Sequence, residues 1–354
     1  MRVFACESCE HLVFFENSRC LHCHHPLGFA WPLRELETLT QAEGRLTRLH
    51  PEVAGPDAEV YRCANAGVAE CNWLVARPQE LCFSCALTRR RPADSDSTGL
   101  REFAAAEAAK RRLLFELGEL GLPVNETVDG PTLAFDLLSS ANEPVITGHA
   151  DGVITLDLAE SDDVHRAQMR IQLGEPYRTL LGHMRHEIGH YYFPLLTADP
   201  QALERCRELF GDEREDYGKA MERYYDTGPT SDWQRDFVSA YATMHPSEDW
   251  AETFSHYLHI WDTIQTAAAY GVRVRGPAVI SARQRGEEFS SAPDAHAENF
   301  AALLEDWLPL TYALNGLNRS MGLGDLYPFV LTGAVIAKLS LVEDLVTRCA
   351  RSVA

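Results

Sequence analysis

The 354-residue sequence predicts an α+β fold, in which a small cysteine-rich segment precedes a mainly helical domain with a small sheet. Three observations predict it. Eight of the ten cysteines fall before residue 86, two strand-like runs follow at 132–138 and 152–158, and the pattern is then helical almost to the end. A few strands followed by many helices give α+β rather than an alternating βα chain.

Composition narrows the function before any motif is considered. Apolar residues make up 45% and charged residues 24%, enough to fold around a real core. The net charge of −20 argues against nucleic acid as a partner, because such binding relies on Lys and Arg neutralising phosphates. Residues 1–94 hold 10 basic and 12 acidic residues, so the acidity lies in the remaining three-quarters, where it reads as a solvated surface. The most apolar stretch, Tyr327 to Val346, contains Lys338, Glu343 and Asp344 and reads as a buried helix rather than a membrane span. The start of the chain lacks the pattern of a secretory signal. A cytoplasmic location and no membrane partner are expected.

The first four cysteines, Cys6, Cys9, Cys20 and Cys23, are spaced C-x2-C-x10-C-x2-C. CxxC lets one tight turn aim two thiolates at one metal, and a hairpin over Leu12–Phe15 would join the two knuckles. Residues 1–30 therefore read as a zinc ribbon. Cys63, Cys71, Cys82 and Cys85 form a second set, within a zinc-binding segment at 57–90 whose first pair is spaced C-x7-C. Pairing by sequential tetrads is the simplest, although Cys82 and Cys85 could instead complete a site with a pair from the first group. His22, His24 and His25 lie close to Cys23 and read as bystanders once four thiolates are present. Two structural Zn²⁺ ions are expected, each contributing on the order of 10 kcal/mol to folding. Cys206 and Cys349 read as ordinary core residues. Residues 86–99 have linker composition, with Arg89, Arg90 and Arg91 on a solvated face, and the helical domain is expected over 100–354.

That domain opens with a helical pattern from Leu100 to Leu120. Its central motif is His186-Glu187-Ile188-Gly189-His190, an HExxH. On a helix, residues i and i+4 share a face, so both imidazoles can hold one Zn²⁺ while Glu187 points at the metal's water. Leu181, Met184, Ile188, Tyr191 and Leu195 cluster on one side, with His183, His186, Glu187 and His190 opposite, as on the floor of a cleft. Gly189 costs roughly 1 kcal/mol of helix propensity, which suggests close packing there. Candidates for a third ligand lie in Pro246-Ser247-Glu248-Asp249-Trp250-Ala251-Glu252, a helix start with Ser247 as its expected N-cap. Glu248 and Glu252 share a face, so one can bind the metal while the other accepts the N–H of a ligating histidine.

These residues resemble the gluzincin metallopeptidases. The longer strings Arg185-His186-Glu187-Ile188-Gly189-His190-Tyr191-Tyr192 and Glu248-Asp249-Trp250-Ala251-Glu252-Thr253-Phe254 are similar to a bacterial group of zinc-binding metallopeptidases with an N-terminal zinc ribbon. The resemblance covers nearly the whole length and implies a zincin-like domain. It also implies His186, His190 and Glu248 as ligands of a catalytic Zn²⁺, with Glu252 supporting His186. Tyr241 stands seven residues before Glu248, where some gluzincins place a tyrosine. The best-known gluzincins carry aspartate at the place of Glu252, so ligand and supporter could be exchanged.

The expected function is zinc-dependent hydrolysis of a peptide bond in a protein or peptide substrate. Glu187 serves as general base on a zinc-bound water, and Tyr241 is the first choice of oxyanion donor, ahead of His256 and Tyr257. Strand 152–158 is expected as the sheet edge that pairs with substrate, as the resemblance implies. The zinc ribbons would be structural or recruit a partner protein. A second reading is a non-catalytic assembly protein with an inactive zincin fold, and a third is a metal-dependent amidase acting on a small or cell-wall-like amide.

Overall fold

The computed structural model describes residues 2–50, 59–124, 132–140, 144–161, 179–275, 290–291, 293 and 299–353. The architecture is α+β. The chain forms two compact units, one of Val3–Gly118 with Val124–Arg166, the other of Met1–Arg2, Glu119–Pro123 and Ala167–Ala354.

The first unit begins with a two-stranded hairpin, β1 (Phe4–Ala5) and β2 (Leu12–Val13), and continues into a five-stranded antiparallel meander. The meander's strands are β3 (Leu27–Ala30), β4 (Glu35–Ala42), β5 (Arg45–Arg48), β6 (Glu59–Arg62) and β7 (Leu74–Val75), hydrogen-bonded in sequence order. Phe29 also bridges Trp73, which draws the first and last strands together. Leu39, Val60 and Leu74 form an aliphatic cluster with Leu46 packed against it, and aromatic rings fill the rest of the core. Phe15 and Phe29 meet edge to face at 4.8 Å, and Phe29 lies 5.0 Å from Trp73 and 5.7 Å from Phe115. Trp31 is stacked between Trp73 and Phe83. Phe115 comes from a helix beyond the cysteines, so the ribbon region and that helix share one core.

A short helix, α1 (Phe83–Ala86), leads into β8 (Thr88–Arg90), and the long helix α2 (Ser97–Glu119) then crosses to β9 (Ala134–Leu138). With β10 (Gly148–Ala150) and β11 (Val153–Asp157) these strands form a mixed sheet of order β10-β11-β9-β8. Two expectations are corrected. The segment read as a linker contains a paired strand, β8, pinned where Arg89 donates to Asp136 through Nε at 3.1 Å and a terminal nitrogen at 2.7 Å. Its low apolar content misled because a bidentate ion pair and a strand ladder, not side-chain burial, hold it. The strand expected as an open edge, 152–158, is central: β9 runs parallel to it on one side and β10 antiparallel on the other.

The second unit is built on helices α3 (Leu180–Leu196), α4 (Pro200–Phe210), α5 (Tyr217–Thr227), α6 (Pro246–Ala269), α7 (Phe300–Ser320) and α8 (Gly333–Val353). A short antiparallel pair, β12 (Val274–Arg275) and β13 (Ser290–Ser291), accompanies them. The pairing of α3 with α6 sets the site. A Cβ on Gly189 would come within 3.1 Å of the Ala251 backbone and 3.2 Å of the Phe254 side chain, so only glycine permits this approach. Trp250 Nε1 donates to the Gly189 carbonyl at 2.9 Å, and Ser255 Oγ donates to that of Gly182 at 3.2 Å. The glycine that weakens the isolated helix thus brings the second helix into contact. Behind α6, Lys338 of α8 donates to buried Asp249 at 2.6 Å, and Tyr327 lies 2.8 Å from His256 Nδ1. Among the described residues, no helix is long and apolar enough to cross a membrane.

Candidate functional site

The cysteines converge as two sequential tetrads. In the first, Cys6 and Cys23 sulfurs lie 3.5 Å apart and those of Cys9 and Cys20 3.7 Å apart; in the second, Cys71 and Cys82 are separated by 3.6 Å. Four thiolates on one tetrahedral Zn²⁺ stand about 3.8 Å apart when each bond is ~2.3 Å, so both tetrads fit the ion without rearrangement. The ligating sulfurs of Cys6, Cys9, Cys20 and Cys23 form one group and those of Cys63, Cys71, Cys82 and Cys85 another, so no pair is shared between tetrads. The backbone supports the second tetrad: the amides of Asn65 and Cys82 donate to Cys63 Sγ, and that of Cys85 to Cys82 Sγ.

In the helical unit, α3 starts at Thr179, whose hydroxyl accepts from the Gly182 amide at 2.9 Å. The helix carries His186 and His190 one turn apart, with their Nε2 atoms 3.3 Å from each other. Two imidazoles on one tetrahedral ion, with bonds of ~2.0–2.1 Å, hold their nitrogens ~3.3 Å apart. Helix α6 starts two residues earlier than expected. His245, not Ser247, is its N-cap, with Nδ1 accepting from the Ser247 amide at 3.1 Å and Pro246 at the first helical position. The shift leaves Glu248 in the first turn, aimed at α3. One Glu248 oxygen lies 3.0 Å from His186 Nε2 and the other 3.4 Å from His190 Nε2.

Glu252 takes the other side of the same ring, with Oε1 2.7 Å from His186 Nδ1. Its second oxygen accepts from Ser239 Oγ at 2.5 Å, and Ser239 Oγ in turn accepts from the Ala242 amide. With Nδ1–H committed to Glu252, His186 Nε2 presents a lone pair to a carboxylate oxygen and to a second imidazole nitrogen. Acceptors that face one another in a buried site need a cation between them. That donor chemistry fits Zn²⁺, and His186, His190 and Glu248 bring their ligand atoms within 4.8 Å of one another.

Without a metal, the site must hold a proton. Burial opposes charge on His186, yet its contacts with Glu248 and Glu252 raise its pKa well above that of free histidine. Burial likewise works against the Glu248 and Glu252 carboxylates, but the histidines pull both well below the usual carboxylate range, Glu252 to about 2. Glu187 is buried as well, and the hydrogen bond from His183 together with the surrounding imidazoles outweighs burial and keeps its pKa low. Its Oε1 lies 3.2 Å from His183 Nε2.

The face carrying these groups is not the floor of an open cleft. His186 is 7% exposed, with Glu248 and Glu252 of α6 on either side of its ring, and Glu187 is 5% exposed. Tyr241 sits in a 3₁₀ turn (Tyr241–Thr243) with its ring 5.9 Å from that of His186. His256 lies one turn beyond Glu252, with its ring bonded to Tyr327, and Tyr257 is buried in the core. Sequence reasoning missed Tyr217, whose hydroxyl donates to Glu248 Oε1 at 3.2 Å from the first turn of α5, and it missed Ser239. Neither belongs to a spaced motif. The acidic-then-aromatic start of α5, Asp216-Tyr217, was the one signal available.

Comparison with known proteins matches two stretches of the chain. Residues 3–96 match a zinc-ribbon domain, and residues 99–345 match a family described as "Putative zinc-binding metallo-peptidase". Uncharacterized proteins of two Mycobacterium tuberculosis strains and of Mycobacterium bovis are each 50% identical over 99% of this chain and 96% of their own length. No solved structure matches. With a family model spanning most of its length and relatives at this identity, the chain belongs to the zinc-binding metallopeptidase family with an N-terminal zinc ribbon.

Proposed function

We propose that this protein hydrolyses peptide bonds with one catalytic Zn²⁺ held by His186, His190 and Glu248, and that two further Zn²⁺ ions staple the cysteine tetrads. The observation that carries the reading is the meeting of the two imidazoles and the Glu248 carboxylate around one point, with Glu252 behind His186. A bound Zn²⁺ supplies a lowered pKa for its water and polarises the scissile carbonyl.

The chain's own groups do the rest. Glu187, ionised and next in sequence to His186, accepts the proton of the attacking water and returns it to the leaving amine. Glu252 fixes the tautomer of His186, and Ser239 fixes Glu252. Tyr217 holds the oxygen of Glu248 that faces away from His186 Nε2, and so orients the carboxylate. Tyr241, next to His186, is the donor to the developing oxyanion; burial and the nearby Glu248 charge raise its pKa, so it remains a proton donor at neutral pH. The substrate is a protein or peptide, the ribbon-bearing segments are structural or recruit a partner protein, and the site of action is the cytoplasm. Division into a ribbon at 1–30, a second cysteine segment at 57–90 and a catalytic domain over 100–354 belongs to the same proposal.

The test is Glu187→Gln. The variant is expected to keep its zinc and melting temperature while cleavage of a broad peptide library falls by about 10²-fold or more, the usual weight of a general base. Equal cleavage by variant and wild type overturns the assignment.

A further inference from the structure

Helix α5 carries an apolar stripe that the fold leaves uncovered. Tyr217, Met221 and Tyr225 are spaced i, i+4 and i+8, so they follow one side of the helix over successive turns. All three are exposed, Met221 by 39% and Tyr225 by 64%. The helix is charged elsewhere, at Lys219, Glu222, Arg223 and Asp226. Single exposed apolar residues are ordinary, but several in register mark a contact surface.

The stripe begins at the candidate site. The Tyr217 hydroxyl donates to Glu248 Oε1 at 3.2 Å, and its ring meets His245 edge to face at 5.2 Å. Burial of that hydroxyl, then the charge of Glu248 and that of Glu187, push its pKa up, so it lies near the general base as well as a metal ligand. The adjoining side of α5 is anchored. Ala220 is buried, Arg223 donates to the Met244 carbonyl at 3.3 Å, and the Tyr224 ring meets that of Tyr241 edge to face at 5.9 Å. The exposed stripe is therefore held beside Tyr241 and Glu248 rather than free to turn away.

We propose that this stripe selects the substrate: an extended peptide segment with apolar alternate side chains lies along α5 against Met221 and Tyr225. The inference rests on the reading of the site as a peptide hydrolase. Spacing supports it. Successive turns of the stripe stand about 6 Å apart along the helix. Alternate side chains of an extended chain stand about 6.6 Å apart on one face, so each can meet one turn of α5. Tyr217 is occupied in orienting Glu248, and discrimination falls to the two residues beyond it.

The probes are two pools of short synthetic peptides that differ only at a pair of positions i and i+2, leucine in one pool and serine in the other. Binding is measured on the full-length, zinc-loaded Glu187→Gln protein, and on the same protein carrying Met221→Ala and Tyr225→Ala, exposed positions where alanine favours the helix. The leucine pool is expected to bind about tenfold tighter or more, the weight of an apolar group in a binding site, and the preference to vanish on substitution. The carbon-13 methyl signal of Met221 is expected to move on binding, a readout that does not depend on the substituted protein. Equal binding of the pools, an unmoved Met221 signal or a preference that survives substitution overturns the proposal. Light scattering that shows paired copies separating on substitution also overturns it, because the stripe then serves self-association. Cleavage of both pools by wild type is followed in parallel. Preferential binding at the stripe without cleavage keeps this inference and removes the hydrolase reading, whereas cleavage without preference does the reverse.

Discussion

Glu248 and Glu252, one turn apart on α6, grip opposite edges of the same imidazole: Glu248 lies 3.0 Å from Nε2 of His186 and Glu252 2.7 Å from Nδ1. The sequence left open which carboxylate would bind metal. Position separates them, because only Glu248 also reaches His190. Glu248→Ala is therefore expected to lose the active-site zinc. Glu252→Ala keeps it with affinity lowered by about 10–100-fold, as for other partners of ligating histidines. Chelator competition, read against the unchanged zinc of the cysteine tetrads, measures both. Equal losses from the two substitutions would show that the roles are not divided this way.

The same contacts give zinc uptake a pH dependence of known sign. Burial disfavours a charged His186, but the two glutamates outweigh it and raise its pKa, so the metal-free site binds a proton that zinc must displace. Proton release makes the apparent zinc affinity of this site rise with pH. The rise is about tenfold per pH unit for each proton displaced, while the pH stays below the raised pKa. Calorimetry in buffers of different ionisation enthalpy counts the released protons. Affinity that is flat across the neutral range would contradict the protonated resting state.

Much of this was legible in the sequence because helical spacing is rigid. HExxH and ExxxE each fix two side chains on one face, and CxxC fixes two thiolates on one turn, so His186, His190, Glu248, Glu252 and both tetrads could be named from spacing and resemblance. Even Gly189 was readable as a point of close approach, since its cost in an isolated helix needed a reason. Contacts made across the fold were not readable. Tyr217 meets Glu248 from 31 residues away and Ser239 meets Glu252 from 13, and no periodicity encodes such distances. Residues 86–99 misled for a related reason: polar composition describes a linker and also a strand held by an ion pair, and only the partner, Asp136, distinguishes them.

The second tetrad shares its surroundings with α2, and removing its metal is expected to reach that helix. Glu107, fully buried, accepts from Thr88 at 2.5 Å and from Lys110 at 2.6 Å, while its other oxygen lies 3.7 Å from Cys85 Sγ. Arg111, also buried, donates to the Ala69 carbonyl beside Cys71. Arg111 thus stands near the second tetrad, and the buried Glu107–Lys110 ion pair adjoins Cys85, an arrangement that is costly once either side is lost. In Cys82→Ser, amide hydrogens of α2 between Glu107 and Phe115 are expected to exchange about tenfold faster or more, together with those of β8. The amides of α6 in the other unit should be unchanged. Exchange confined to the cysteine loop would mean that helix and tetrad are energetically separate.

His256, beside the zinc site, gives the fold an acid limit of its own. It is buried beneath Tyr327 and Phe329, with its ring 4.4 Å from that of Phe329, and desolvation holds its pKa down to about 4 despite the nearby Glu252 charge. In the unfolded chain it titrates near ~6.5. Between those values the unfolded state binds the proton and the native state does not. Stability therefore falls as the pH drops from about 6.5 towards 4 and is unaffected by this group above that window. The full difference is about 3 kcal/mol, since each tenfold loss of proton affinity is worth ~1.4 kcal/mol. Replacing His256 by Gln retains a polar partner for the Tyr327 hydroxyl and removes the titration. Urea unfolding at a series of pH values should then give a shallower loss for the variant across this window, with wild type and variant running parallel above about pH 7 because no proton is taken up there by either. Slopes that match throughout would mean that His256 is already protonated in the fold, and the buried contact with Tyr327 would then have to be a charged one.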